Sequence, residues 1–101
     1  MALDGRKVAV VEQFLKDSFE GCPIYHWLDG DREAEFYRID DEEGVRMRHR
    51  VVVSRAFFDD HAEAELVPAL QNLNLISTVM SAGTRRVIVR NDQLAVEEEG
   101  A

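Results

Sequence analysis

The chain has 101 residues, 46% of them hydrophobic, and a formal net charge of −8. That length suits one domain across residues 1–101, and the acidic balance opposes binding to nucleic acid or to anionic membranes, which reward a basic surface. The single cysteine, Cys22, cannot close an internal disulfide, and no apolar run approaches the roughly 20 residues that cross a bilayer.

The first residues, Met1-Ala-Leu-Asp-Gly-Arg-Lys7, lack the apolar core of an export signal, so a cytoplasmic protein is expected. The charge is uneven. Between Asp29 and Glu43 there are eight acids and two arginines, whereas between Arg46 and Arg55 there are four arginines and no acid.

Residues 5–20 read as a helix. Val8, Val11, Leu15 and Phe19 recur at three- and four-residue spacing, and Phe14 widens the stripe. Asp4 suits its N-cap, Gly21 the position past its end, and Pro23 forbids continuation. Ile24-Tyr25-His26-Trp27-Leu28 is rich in strand formers and runs into Asp29-Gly30, a hairpin signal. Trp27, the one tryptophan, is expected in the core.

A second strand is expected over 34–40, a turn at 41–44, and a third strand over 45–53. Val45-Arg-Met-Arg-His-Arg-Val-Val-Val53 alternates apolar and cationic positions, the period of a strand with one face in the core. A four-residue turn would set Ile39 opposite Arg46, Tyr37 opposite Arg48 and Glu35 opposite Arg50. Phe36, Met47, His49, Val51 and Val53 would then face inward.

Asp60 with Glu63 resembles a capping box, and Leu66, Leu70 and Leu73 form a stripe, which predicts a helix over 60–74 kinked at Pro68. Leu75, Ile76, Val79 and Met80 suggest a further short helix closed by Gly83. Residues 85–90 read as a strand and 94–96 as a shorter one, followed by a frayed acidic tail from 97 to 101. The expected fold is α+β: a small antiparallel sheet of four to five strands with helices packed on one face, in the order α-β-β-β-α(α)-β-(β).

Motifs for chemistry are sparse. The serines sit in no nucleophile elbow and the glycines form no phosphate-binding loop, so the sequence points away from catalysis and implies no cofactor. His49 is the sharpest oddity, because the alternation sends an imidazole inward, where it is either a satisfied core group or a ligand-binding group in a pocket. Cys22 and His26, four residues apart, could contribute to a metal site. Arg46, Arg48 and Arg50, with Tyr37, define an outward face suited to contact with another protein, since Arg and Tyr are favoured at interfaces. The sequence therefore favours a non-catalytic protein-interaction or regulatory module, engaging a protein partner or a second copy of itself. The alternative is a small-ligand or metal-binding domain centred on His49 with Cys22 and His26.

Overall fold

The computed structural model describes residues 4–31 and 33–97. Helix α1 (Gly5–Ser18) opens on Asp4, whose side chain accepts the Arg6 amide, and buries Val8, Val11 and Leu15, as the stripe requires. Phe19 follows as the capping residue, and Gly21 turns the chain at φ +80°. Strands β1 (Ile24–Asp29), β2 (Ala34–Asp40) and β3 (Met47–Ser54) then form two successive antiparallel hairpins. In the first hairpin the positive φ falls on Glu33, at 49°, rather than on Gly30.

The chain next crosses the sheet through three short helices, α2 (Arg55–Asp60), α3 (Leu66–Asn72) and α4 (Leu75–Ala82), with one turn of 3-10 helix over Glu63–Glu65. It returns as β4 (Arg86–Val89), parallel to β3, and ends in β5 (Leu94–Val96), antiparallel to β4. The sheet order is β1-β2-β3-β4-β5. The fold is thus α+β with a mostly antiparallel five-stranded sheet. Its one parallel pair follows from the helical crossover, which brings the chain back in the same direction.

One hydrophobic cluster joins the helices to the sheet. It contains Val11, Leu15, Phe57, Leu66, Leu70, Leu75 and Val79 from the helices, with Tyr37, Ile39, Val51, Val53, Val87 and Val89 from the strands. These strand residues alternate with Phe36, Arg38, Val52 and Ile88, which lie outside the cluster, so the helices cover one side of the sheet only. The Tyr37 hydroxyl donates to the Val8 carbonyl at 2.8 Å, and the Lys7 ammonium donates to the Phe58 carbonyl at 2.6 Å, tying α1 to β2 and to α2.

Three expectations need correction. First, β3 begins at Met47, and Val45 stands 70% exposed in the preceding loop. The Asp41 carboxylate accepts the backbone N–H groups of Val45 and Arg46, at 3.0 and 3.4 Å, and so holds both residues out of the strand. A bulge between Ile39 and Asp40 adds to the change, and Ile39 pairs with His49 instead of Arg46. That is a shift of three residues; being odd, it exchanges the two faces of β2. Tyr37 and Ile39 therefore point into the core, and Phe36 points out.

Second, the helix expected from residue 60 is broken. Ser54 caps α2 six residues after β3's Arg48 and immediately before Arg55, its side chain accepting the Phe57 amide at 3.4 Å. Pro68 sits in the first turn of α3, where its missing N–H is not needed, so the chain starts a new helix there rather than kinking an old one. Third, Glu97, at the start of the expected tail, donates its N–H to the Arg86 carbonyl and places its carboxylate 3.5 Å from the Arg86 guanidinium. The remainder of the tail lies outside the described residues.

Candidate interaction face

The side of the sheet without helices is built from aligned rows, because residues paired across neighbouring strands share a face. One row runs Trp27, Phe36, Val52, Ile88, Ala95 across all five strands. Beside it runs a polar row, Tyr25, Arg38, Arg50, Arg86, with Glu97 bonded to Arg86 at its end. The first row is apolar from edge to edge. Trp27 is 49% exposed, contrary to the expectation of a core tryptophan, yet its ring lies parallel to that of Phe36, with centroids 5.7 Å apart and planes 3° from parallel. Val52 is only 2% exposed although no helix among the described residues covers this side, so the larger side chains around it shield it. The Arg86 guanidinium lies over Phe36, 5.6 Å from the ring centre, a cation–π arrangement.

The arginines of this face are held in place. Arg38 Nε meets the buried Asp40 carboxylate at 2.6 Å, and Arg50 Nε donates to the Thr84 carbonyl at 2.7 Å. Arg48, exposed at the start of β3, donates to Cys22 Sγ at 3.5 Å. Anchoring of this kind lowers the entropy lost when a planar guanidinium meets a partner. Arg46 stands apart in the exposed loop before β3, which with Arg48 and the acids Asp41, Glu42 and Glu43 lines a shallow depression. The backbone amides around Asp41, Val45 first, hold its carboxyl below the usual range.

The remaining candidate residues are placed on the helix side or between strands. His49 is buried on the helix side; its Nδ1 donates to the Gly83 carbonyl at 2.8 Å and its ring lies 5.2 Å from that of Phe19. Burial lowers its pKa, and the neighbouring Arg48 adds to this against the opposing pull of the Gly83 bond. Gly83 closes α4 at φ +64°, a conformation that L-residues with a side chain rarely adopt.

His26 faces α1: its Nδ1 donates to Glu35 Oε2 at 2.6 Å, and its Nε2 lies 3.4 Å from Glu12 Oε2. The imidazole thus links β1, β2 and α1 and supplies a partner for the buried Glu35 carboxylate. Tyr37 lies beside it, 5.6 Å between ring centres, and burial together with Glu35 and Glu12 pushes its phenol far above the ordinary value. His26 therefore engages two carboxylates while the buried Cys22 contacts Arg48; among the described residues no three His, Cys, Asp or Glu side chains group so as to hold a metal ion. No helix of the described residues is long and apolar enough to cross a membrane.

Of the surface expected from the sequence, Arg50 lies on the open face, Arg48 falls in the bulge of β3 and bonds to Cys22, Arg46 lies in the loop, and Tyr37 is in the core. Phe36, Arg38, Trp27, Arg86 and Ile88 were not expected there. The signal that could have found them is the matching alternation Tyr25-x-Trp27, Phe36-x-Arg38, Arg50-x-Val52 and Arg86-x-Ile88, once strands are aligned by the observed register. No protein-family model, no curated protein and no solved structure matches the chain.

Proposed function

We propose that the protein is a non-catalytic interaction module and that the open side of its sheet is the contact surface for a protein partner. One observation carries this reading: an apolar row from Trp27 to Ala95 crosses the side of the sheet that the described helices leave open, with Trp27 half-exposed and Phe36, Ile88 and Ala95 partly exposed around the buried Val52, beside a row of three anchored arginines. Contiguous exposed apolar surface rimmed by polar groups marks contact sites, and aromatic and arginine side chains dominate their energetics. The partner suited to it presents aliphatic or aromatic side chains flanked by carboxylates, which would meet Arg38, Arg50 and Arg86 in bidentate geometry.

The test uses immobilised protein and extract of the organism that encodes it. Ile88→Glu places a charge in the middle of the row, whereas Met80→Glu places one on an exposed position of α4. Proteins retained by the wild type and by the Met80 variant but lost with the Ile88 variant support the reading. Equal retention by all three contradicts it.

A further inference from the structure

We propose that β1 pairs antiparallel with β1 of a second copy of this chain, about a two-fold axis at His26, so that two sheets join into one of ten strands.

Among the described residues β1 is an edge strand, bonded on one side to β2 and on the other to no strand. Natural edge strands are blunted by proline, lysine, bulges or a covering element. Ile24–Asp29 has no proline and no lysine, its pairing with β2 is unbroken, and four consecutive residues in it are exposed. Large apolar side chains are open on both of its faces: Tyr25 at 54% and Trp27 at 49% on the open side, and Leu28 at 48% on the helix side. A partner docked on the open face would cover Tyr25 and Trp27 and leave Leu28 in water. A strand added to the edge flanks all three.

The occupant follows from parity. Residues opposite each other in an antiparallel pair share a face. With His26 opposite His26 of the second copy, Tyr25 falls opposite Trp27 on the open side, and Ile24 falls opposite Leu28 on the helix side, each contact occurring twice. Ile24 opens on a surface depression shared with Phe19 and Cys22, where Leu28 of the second copy would lie. The apolar row of each sheet then continues into the next. Half of a tyrosine or tryptophan amounts to about 100 Å². With Leu28, His26 and a six-residue backbone edge, doubled by symmetry, the pairing covers at most on the order of 1,000 Å², the lower limit for a specific interface.

This inference builds on the interaction-module reading but is tested separately from it. Sedimentation of the untagged wild-type chain across the micromolar range should show a dimer. Leu28→Lys, which leaves the open face intact, should weaken that dimer on the order of a hundred-fold, because two apolar contacts are lost and two charges crowd the edge. The register is read by disulfide trapping in a Cys22→Ala chain. Residues facing across an antiparallel pair have Cα atoms about 4.5–5.5 Å apart, within disulfide reach, so His26→Cys should cross-link to itself on oxidation. Leu28→Cys should not, because four residues of strand, about 13 Å, separate the two positions. A monomeric wild type, a dimer indifferent to Leu28→Lys, or cross-linking through position 28 but not 26 overturns the pairing. If the wild type is monomeric and Ile88→Glu still abolishes partner retention, the edge proposal falls and the module reading stands. If the chain is dimeric and retention is indifferent to Ile88→Glu, the reverse holds.

Discussion

The indole of Trp27 lies parallel to the ring of Phe36 on the side of the sheet that no helix among the described residues covers. An offset aromatic pair of this kind contributes about 0.5–1.5 kcal/mol beyond the area it buries. Phe36→Leu should therefore cost about 1 kcal/mol in denaturant unfolding. It should also shift the emission of Trp27, the chain's one tryptophan, towards that of a solvated indole. Unchanged emission would mean that the stack is not populated in solution.

His49 gives the fold a pH dependence with a definite sign. Burial lowers its native pKa below the unfolded value of about 6.5, so the unfolded chain takes up the proton first as pH falls. Its contribution to stability is present above about pH 6.5 and is lost as pH drops from there through the native pKa. His49→Gln keeps a donor for the Gly83 carbonyl but does not titrate. Urea midpoints for the wild type should fall more steeply than those of the variant over this interval; parallel curves would contradict the assignment.

Tyr37 combines a buried ring with a hydroxyl donated to the Val8 carbonyl. Tyr37→Phe removes that donor and leaves a buried acceptor, a loss of about 1–2 kcal/mol by thermal or denaturant unfolding. A neutral result would place Tyr37 on the solvent side, the arrangement expected from the four-residue turn.

Asp41 decides where β3 begins, because its carboxylate captures the Val45 and Arg46 amides. Asp41→Ala should speed hydrogen exchange at those two amides and leave exchange at Val51 and Val53 unchanged, whereas Asp41→Asn should retain part of the protection. Amide exchange followed by NMR reads this directly. No change at Val45 and Arg46 in the alanine variant would remove Asp41 as the cause of the register.

Much of this architecture is legible in the sequence, for physical reasons that differ by element. Helix α1 has a cap, a stripe and a proline stop, all consistent with one another. The inward positions of β3 follow from arginines that cannot all be buried. The phase of β2 is not legible, because it carries bulky apolar side chains on both faces: Phe36 on one, Tyr37 and Ile39 on the other. Its register then depends on a turn whose length is set by a side-chain-to-backbone bond at Asp41 and by a bulge, neither of which has a periodic signature. Ser54 is hidden as a cap because it closes a run of three valines that reads as strand. On β2 the open face accordingly carries Phe36 and Arg38 where the four-residue turn would place Tyr37, since an error of three residues in register moves every side chain of a strand to the other side.

In the proposed module the open side of the sheet, and not the helical side, meets the partner. A photo-crosslinking residue placed in living cells of the source organism at Ile88 or Arg50 on the open face, and separately at Met80 on α4, tests it most directly. Covalent adducts to a protein should form from positions 88 and 50 and be absent from position 80. Adducts from position 80 alone would contradict the claim.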